Sequence, residues 1–317
     1  SSAASDVYKR QRLRCLSSTL SGEENEKNID RFILYYLYRR LRTDLMNRYL
    51  SCLRLNAVLF CKIFTCGFLG QKDYAEGYDN VAENYDDNWL CHIKPCTQNF
   101  LDRLPPLQSD KPIVDLGCGT GFSTEWLTKR YDNPVTGVDI SAGMLKQAAK
   151  KMPQTQFVHA DMLDYLRKLP AESRAMICSA WAIGYSDPKR IAEEACRVLE
   201  AKGVFAFIVN TADTLPRVFD AFRRTMYNYP QKVKKLLWPK FPKDFSFVDD
   251  KRFETIYQHK DSMKIHLREE DFSDWLFKTG IMAGFEKVLD TDLFKKELKK
   301  STAELCHRHI IGIYRKK

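Results

Sequence analysis

Asp115-Leu116-Gly117-Cys118-Gly119-Thr120-Gly121 sets three glycines at alternate positions after a short apolar run, Ile113-Val114-Asp115-Leu116, that lies between Pro112 and Gly117. Glycine reaches backbone dihedrals that other residues avoid and lets a ligand lie against the main chain. The segment therefore reads as a strand turning into a helix with a ligand at the turn. A dinucleotide fingerprint G-x-G-x-x-G would need glycine at 122, where this chain has Phe122, so the spacing speaks against a nicotinamide-type site. Further acids stand at strand ends. Val135-Thr136-Gly137-Val138-Asp139 closes on a carboxylate whose two acceptor oxygens suit a vicinal diol. Phe157-Val158-His159-Ala160-Asp161-Met162 closes on Asp161 with Met162 beside it.

The elements that must hold these residues alternate. A helical pattern runs from Phe122 to Arg130, a strand over Val135 to Val138, a helix over Ala142 to Lys151, and strands over Gln156 to His159 and Ala175 to Cys178. Ile191 to Glu200 reads as helix and Val204 to Val209 as strand. Strands alternating with helices predict an α/β fold with a parallel, doubly wound, Rossmann-like sheet. From Asp213 to about Ile265 the rhythm breaks into a stretch rich in aromatic and basic residues, expected to be a helical lid insertion without a second strand-helix unit. The pattern resumes with a helix around Glu270 to Thr279, a short apolar run Phe285 to Leu289, and a last strand about Cys306 to Tyr314.

The acid followed by G-x-G-x-G, with its strand-end carboxylates, resembles the class I S-adenosylmethionine-dependent methyltransferases. The resemblance spans about Tyr74 to Lys317 and implies the family's seven-stranded sheet with the last strand antiparallel. It implies S-adenosylmethionine as cofactor. The methionine part falls to Asp115, Gly117 and Gly119, with Cys118 and Gly121 in the same turn, and the ribose hydroxyls to Asp139, with Ile140 next to it. Asp161 would bond the adenine amino group while Met162 packs on the ring, and Ser179 borders the site after the fourth strand. Tyr78-Asp79-Asn80-Val81-Ala82-Glu83-Asn84-Tyr85-Asp86 is similar to the Y-D-x-x-A-x-x-Y-D helix of many small-molecule members, which implies that Tyr78 and Tyr85 close over the cofactor.

The segment Cys178-Ser179-Ala180-Trp181-Ala182-Ile183-Gly184-Tyr185 lies where a doubly wound sheet binds its ligand, which makes Trp181 and Tyr185 candidates for the acceptor. It lacks the Asn/Asp-Pro-Pro-aromatic tetrad typical of enzymes that methylate base amines, which counts against a nucleic-acid substrate. In the lid, Arg217, Arg223, Arg224, Lys232, Lys234, Lys235, Lys240 and Lys243 interleave with Phe219, Phe222, Tyr227, Tyr229 and Trp238. Such a surface suits an apolar molecule carrying an acid, with Arg223 as the candidate contact, or equally a solvated basic helix. Leu215-Pro216 and Asp220-Ala221-Phe222, after Gly203 to Phe207, loosely resemble carboxyl methyltransferases, so the expected acceptor is a small molecule methylated on a carboxylate oxygen. A carboxylate needs no general base. A hydroxyl or amine would, and His92, Tyr185 or His159 would have to supply it.

Of 317 residues 44% are hydrophobic, enough for a packed core, and the net charge is +10. Tyr74 to Lys317 holds 38 Lys and Arg against 34 Asp and Glu, so the basicity sits mainly upstream and is no nucleic-acid footprint. Ser1 to Gln11 back-translates to a sequencing adapter of the tagmentation kind. Residues 12–73 then form a doubtful extension, with Met46 as a candidate start. The apolar stretch Leu53 to Leu69 carries Arg54 and Lys62, against a stable membrane span but compatible with an organelle-targeting peptide; otherwise the expected location is cytoplasmic. The gaps Cys61/Cys66 and Cys91/Cys96 lack a matching zinc pattern, so no metal is expected, and Cys118, Cys178 and Cys196 read as small buried residues. An RNA or protein methyltransferase, or a non-catalytic partner subunit, are the rival readings. Oligomeric state is open.

Overall fold

The computed structural model describes residues 50, 53, 56, 57, 60, 61, 67–236, 240–266, 269–299 and 304–317. The adapter-like segment, Met46, Cys66, Trp238 and most of the apolar stretch after Leu53 lie outside these residues. The chain divides into units 1–57 and 58–317, and the fold below belongs to the second. It opens with helices α1 (Gln71–Val81) and α2 (Cys91–Leu101), joined through a wide turn, Asp86–Leu90.

Strand β1 (Ile113–Leu116) is buried at every position, as its uninterrupted apolar run requires. It pairs in parallel with β2 (Val135–Asp139) on one side and β4 (Arg174–Ala180) on the other; β3 (Gln156–His159) extends the sheet beyond β2, and β5 (Leu199–Asn210) beyond β4. The crossovers are α3 (Phe122–Arg130), α4 (Ala142–Lys151), α5 (Met162–Lys168) and α6 (Pro188–Val198). Ser141, Asp161 and Asp187 cap α4, α5 and α6 through their side chains, so each helix starts at a strand-end loop.

After α7 (Pro216–Asn228) come β6 (Phe253–His266), α8 (Glu269–Phe277), α9 (Thr291–Leu298) and β7 (Glu304–Lys316). The sheet runs β3-β2-β1-β4-β5-β7-β6, with β7 antiparallel to both neighbours, the seven-stranded arrangement expected. The lid boundaries need correction. Residues 213–265 were read as a helical lid insertion, yet most of β6 lies there, and the apolar run from Phe285 begins as a 3-10 turn, Phe285–Lys287. The cause is the edge position of β6, which is paired only to β7 and leaves most of its length exposed. Phe253 and Ile265 are its buried side chains, too sparse a pattern to reveal a strand. The N-terminal boundary also moves. Residues 67–69 bridge to Leu236, and Asp73 accepts Lys235 Nζ on both oxygens at 2.7 Å, so the folded unit begins before Tyr74.

Apolar side chains cover both faces of the sheet. On one, Phe207 is fully buried, stacks near Phe205, Phe247 and Tyr314, and lies across its register partner Gly312, where an added Cβ would come within 2.5 Å of its ring. Among the described residues no helix is long and apolar enough to cross a membrane. Phe207→Ala empties the centre of this face and is expected to cost about 3–5 kcal/mol of unfolding free energy. Urea denaturation measures it, and a loss under about 1 kcal/mol would show that the layer collapses into the gap.

Candidate active site

The C-terminal ends of β1, β2, β4 and β5 open onto one cavity. At its floor, Gly117 and Cys118 donate their N–H groups to the Val138 carbonyl at 2.7 and 3.1 Å, which folds the turn after β1 against β2. Gly117 has φ +66°, and a Cβ there would lie 2.1 Å from that of Ala182. Gly119, φ +54°, has nothing within 4 Å of that position, so its backbone faces the cavity bare. Asp139 accepts the Gly119 N–H at 2.8 Å on Oδ2 and the Ser141 N–H at 2.9 Å on Oδ1. Burial pushes its carboxyl above the usual range, and these backbone donors only partly offset that. Asp161 lines the cavity while one of its oxygens caps α5 through Leu163 and Asp164; Ile140 and Met162 complete this half.

The segment Tyr78 to Asp86 divides its work by residue type. Tyr78 and Tyr85 line the cavity, their ring centroids 6.3 Å apart, and Tyr185 packs 5.8 Å from Tyr78. The aspartates turn away: Asp79 accepts Ser141 Oγ at 2.6 Å and the Gly143 N–H at 2.7 Å, and Asp86 accepts Thr120 Oγ1 at 2.5 Å and pairs with Lys151. Helix α1 is thereby tied to both ligand loops. Burial raises the phenol pKa of Tyr78, Tyr85 and Tyr185, so all stay neutral.

The other half of the cavity is largely apolar, and Trp181 and Tyr185 are among the residues that line it. Trp181 adopts φ +66° and Leu215 φ +48°, backbone conformations that a side chain resists. Trp181 is held by its N–H to Ile208 O at 2.7 Å and by Nε1 to Thr97 Oγ1 at 2.8 Å. Asn210, Thr214 and His307 also line this half. Sequence reading passed them over, although Asn210 ends β5 and His307 and His309 alternate along β7, a pattern that puts one strand face beside a sheet-edge ligand.

Several expected contacts fall elsewhere. Arg223 is exposed, pairs with Asp220 and is not among the lining residues; α7 turns Val218 and Phe219 inward instead. Ser179 is buried with its hydroxyl on Leu116 O at 2.8 Å, Cys118 lies buried under the turn, and Gly121 serves as the left-handed N-cap of α3. None of these lines the cavity. His159 Nε2 sits 2.8 Å from Ile140 O at the surface, and His92 packs on Trp275 outside the lining, so neither is placed as a base. The lid's cations pair with acids of the chain itself: Arg224 with Asp220 and Glu297, Lys235 with Asp73, and Lys240 with Asp187. Cys178 and Cys196 are buried, and among the described residues no group of His, Cys, Asp and Glu is placed to hold a metal ion.

Residues 113–203 match the family model described as "Methyltransferase domain". Over these residues the chain carries a methyltransferase domain. The trans-aconitate 2-methyltransferase of Afipia carboxidovorans is 32% identical over 144 residues, 44% of this chain and 53% of that enzyme. The enzyme of the same name from Paracidovorax citrulli is 48% identical over 58 residues, 18% of this chain and 22% of its own. The chain thus spans about half the length of the first relative and less of the second. A solved geranyl diphosphate C-methyltransferase of Streptomyces coelicolor superposes with a TM-score of 0.44 at 14% identity, over 71% of this chain and 76% of that one, too distantly to bear on the assignment.

Within the methyltransferase domain, Asp115 is the acid of the glycine motif, and it stands behind the turn, outside the cavity lining. It is fully buried, and its Oδ2 accepts the hydroxyls of Ser123 and Thr124 at 2.7 and 2.6 Å, which anchors the start of α3. Oδ1 has no partner. Burial raises its pKa to about 6, against the two hydroxyl bonds. A raised carboxyl pKa means that the folded state holds the proton more tightly, so this contribution to stability is full below the unfolded pKa near 3.8 and is lost as pH rises through 6. Asp115→Asn cannot ionise. Between pH 4 and 7.5 its stability relative to the parent is expected to improve by roughly 2–3 kcal/mol in urea melts; a pH-independent difference would mean that Asp115 ionises as an ordinary carboxyl.

Proposed function

We propose that this chain transfers a methyl group from S-adenosylmethionine to a carboxylate oxygen of a small acid. The arrangement of Asp139 carries the cofactor half of this reading. Its carboxylate is held at both oxygens by backbone N–H groups of the two ligand loops, beside the bare backbone of Gly119. Remaining lone pairs on the two oxygens suit the paired hydroxyls of a ribose. Asp161 and Met162 would take the adenine, and the Gly117–Gly119 turn the methionine part. The aromatic rings of Tyr78, Tyr85 and Trp181 line the same space, and π faces favour a sulfonium cation.

S-Adenosylmethionine supplies, when bound, an electrophilic methyl on a sulfonium that an acceptor oxygen displaces in line, the sulfur keeping the electron pair of the broken bond. What the protein adds is orientation and exclusion of water. Helix α1 and the 280–285 segment close tightly on each other, since a Cβ on Gly77 would meet Gly284 N at 2.5 Å and one on Gly280 would meet Tyr78 at 2.5 Å. A carboxylate acceptor is already a nucleophile, and on this reading the site needs no base. The similarity to trans-aconitate 2-methyltransferases supports an acid as acceptor.

Asp139→Ala is expected to abolish binding of both S-adenosylmethionine and S-adenosylhomocysteine in calorimetric titration, since the ribose loses its charge-assisted partner. Retained micromolar binding would remove Asp139 from the ribose site.

A further inference from the structure

Helix α1 gives Gln71, Tyr74 and Tyr78 to the cavity wall, and the turn that follows it gives Tyr85. Yet of its eleven residues only Asp73 and Gly77 are buried, so no apolar face of its own fastens the helix to the domain. A helix of this length is marginal by itself, and its stability must come from what it touches. Its contacts are polar and reach the three loops that form the cavity. Gln71 Nε2 donates to the Tyr185 carbonyl after β4 at 3.1 Å. Asp79 Oδ1 accepts Ser141 Oγ at 2.6 Å and the Gly143 N–H at 2.7 Å, both after β2. Asp86 accepts Thr120 Oγ1 in the glycine turn after β1 at 2.5 Å.

The Asp79 tie leads straight to the acid assigned above to the ribose. Fully buried Ser141 donates its backbone N–H to Asp139 Oδ1 at 2.9 Å, donates its hydroxyl to Asp79, and accepts the Met144 N–H at 3.1 Å as the cap of α4. One residue thus joins Asp139, which lines the cavity, to Asp79, which does not. The approach is close enough to need a glycine. A Cβ on Gly143 would lie 3.0 Å from Asp79 Oδ1, 3.1 Å from its Cα and 3.2 Å from Ala82 Cβ.

A ligand that pins the loop after β2 through Asp139 therefore also pins the seat of α1. By linkage, a seated α1 holds that ligand more tightly by the same factor. We propose that Asp79 is a positioning residue that couples occupation of the cofactor half to closure of α1 over the cavity. This inference rests on the cofactor reading given above. On its other side α1 is held by ion pairs of Asp73 with Lys235 and of Glu76 with Lys287, which reach the segments after α7 and before α9 and touch neither the Asp139 loop nor the glycine turn. Those pairs hold the helix without reporting on the cofactor.

Amide hydrogen exchange of the full chain, read by mass spectrometry over residues 71–86 with and without saturating S-adenosylhomocysteine, tests the coupling, and calorimetry gives the affinity. The ligand is expected to slow exchange in α1 at least about tenfold. Asp79→Ala should cut that slowing to under about twofold and weaken S-adenosylhomocysteine at least about fivefold. Asp79→Asn keeps an oxygen that accepts both donors and should restore most of each effect. Gly143→Ala breaks the seat from the other side while favouring helix α4, and is expected to act as Asp79→Ala does. Lys235→Ala should speed α1 exchange in both states and leave their ratio unchanged. Bound S-adenosylhomocysteine with no slowing in α1 overturns the proposal and leaves the methyl-transfer reading standing. Slowing that survives in both Asp79→Ala and Gly143→Ala does the same, since the tyrosine rings would then carry it by touching the ligand. So does a ratio lost equally in Lys235→Ala. A folded chain that binds neither S-adenosylmethionine nor S-adenosylhomocysteine overturns that reading, and this proposal with it.

Discussion

Two carboxylates at the end of a parallel sheet, Asp115 fully buried and Asp139 half-buried, with no lysine or arginine among the described cavity-lining residues, set the terms for the rest of this structure. Asp115 and Asp139 both have raised pKa values because desolvation outweighs the hydrogen bonds they receive. Neighbouring charge adds to both: Asp139 acts on Asp115, and Asp79 on Asp139. The chain answers with hydroxyl and backbone N–H donors, which hold the acids in place without neutralising them.

The same economy explains the N-terminal segment. Tyrosines and aspartates that look interchangeable on a helix surface point in opposite directions. Asp79 and Asp86 fasten α1 and the turn after it to the loops following β1 and β2, and this leaves Tyr78 and Tyr85 no place but the cavity. The Asp73–Lys235 and Lys287–Glu76 pairs fasten α1 from its other side, to the segments after α7 and before α9. Arg224, Lys235 and Lys240 of the lid thus pair with the chain's own acids.

The glycine turn, the five parallel strands and the strand-end acids were legible because each obeys a local rule. A buried parallel strand must be a continuous apolar run, and a turn that meets a ligand must spare its Cβ. Where no local rule applied, the reading went astray. Strand β6 is a polar edge whose pattern carries almost no hydrophobic signal. Arg223 carries the charge an acid would want, but the phase of α7 turns it to solvent. The acceptor wall was the least legible part, because Asn210, Thr214, Phe241, Met282 and His307 come from distant segments and share no spacing.

By itself the sequence determined the scaffold and the half of the cavity proposed for the nucleoside, because these are made by strand-loop-helix units whose geometry is local. Which residues line the other half of the cavity was decided only by the tertiary structure. The antiparallel insertion of β7 between β5 and β6 brings His307 against Trp181 and His309 opposite Asn210, and α1 closes on residues 280–285. Those are consequences of long-range pairing and packing, where burial, with His309 beside it, lowers the pKa of His307.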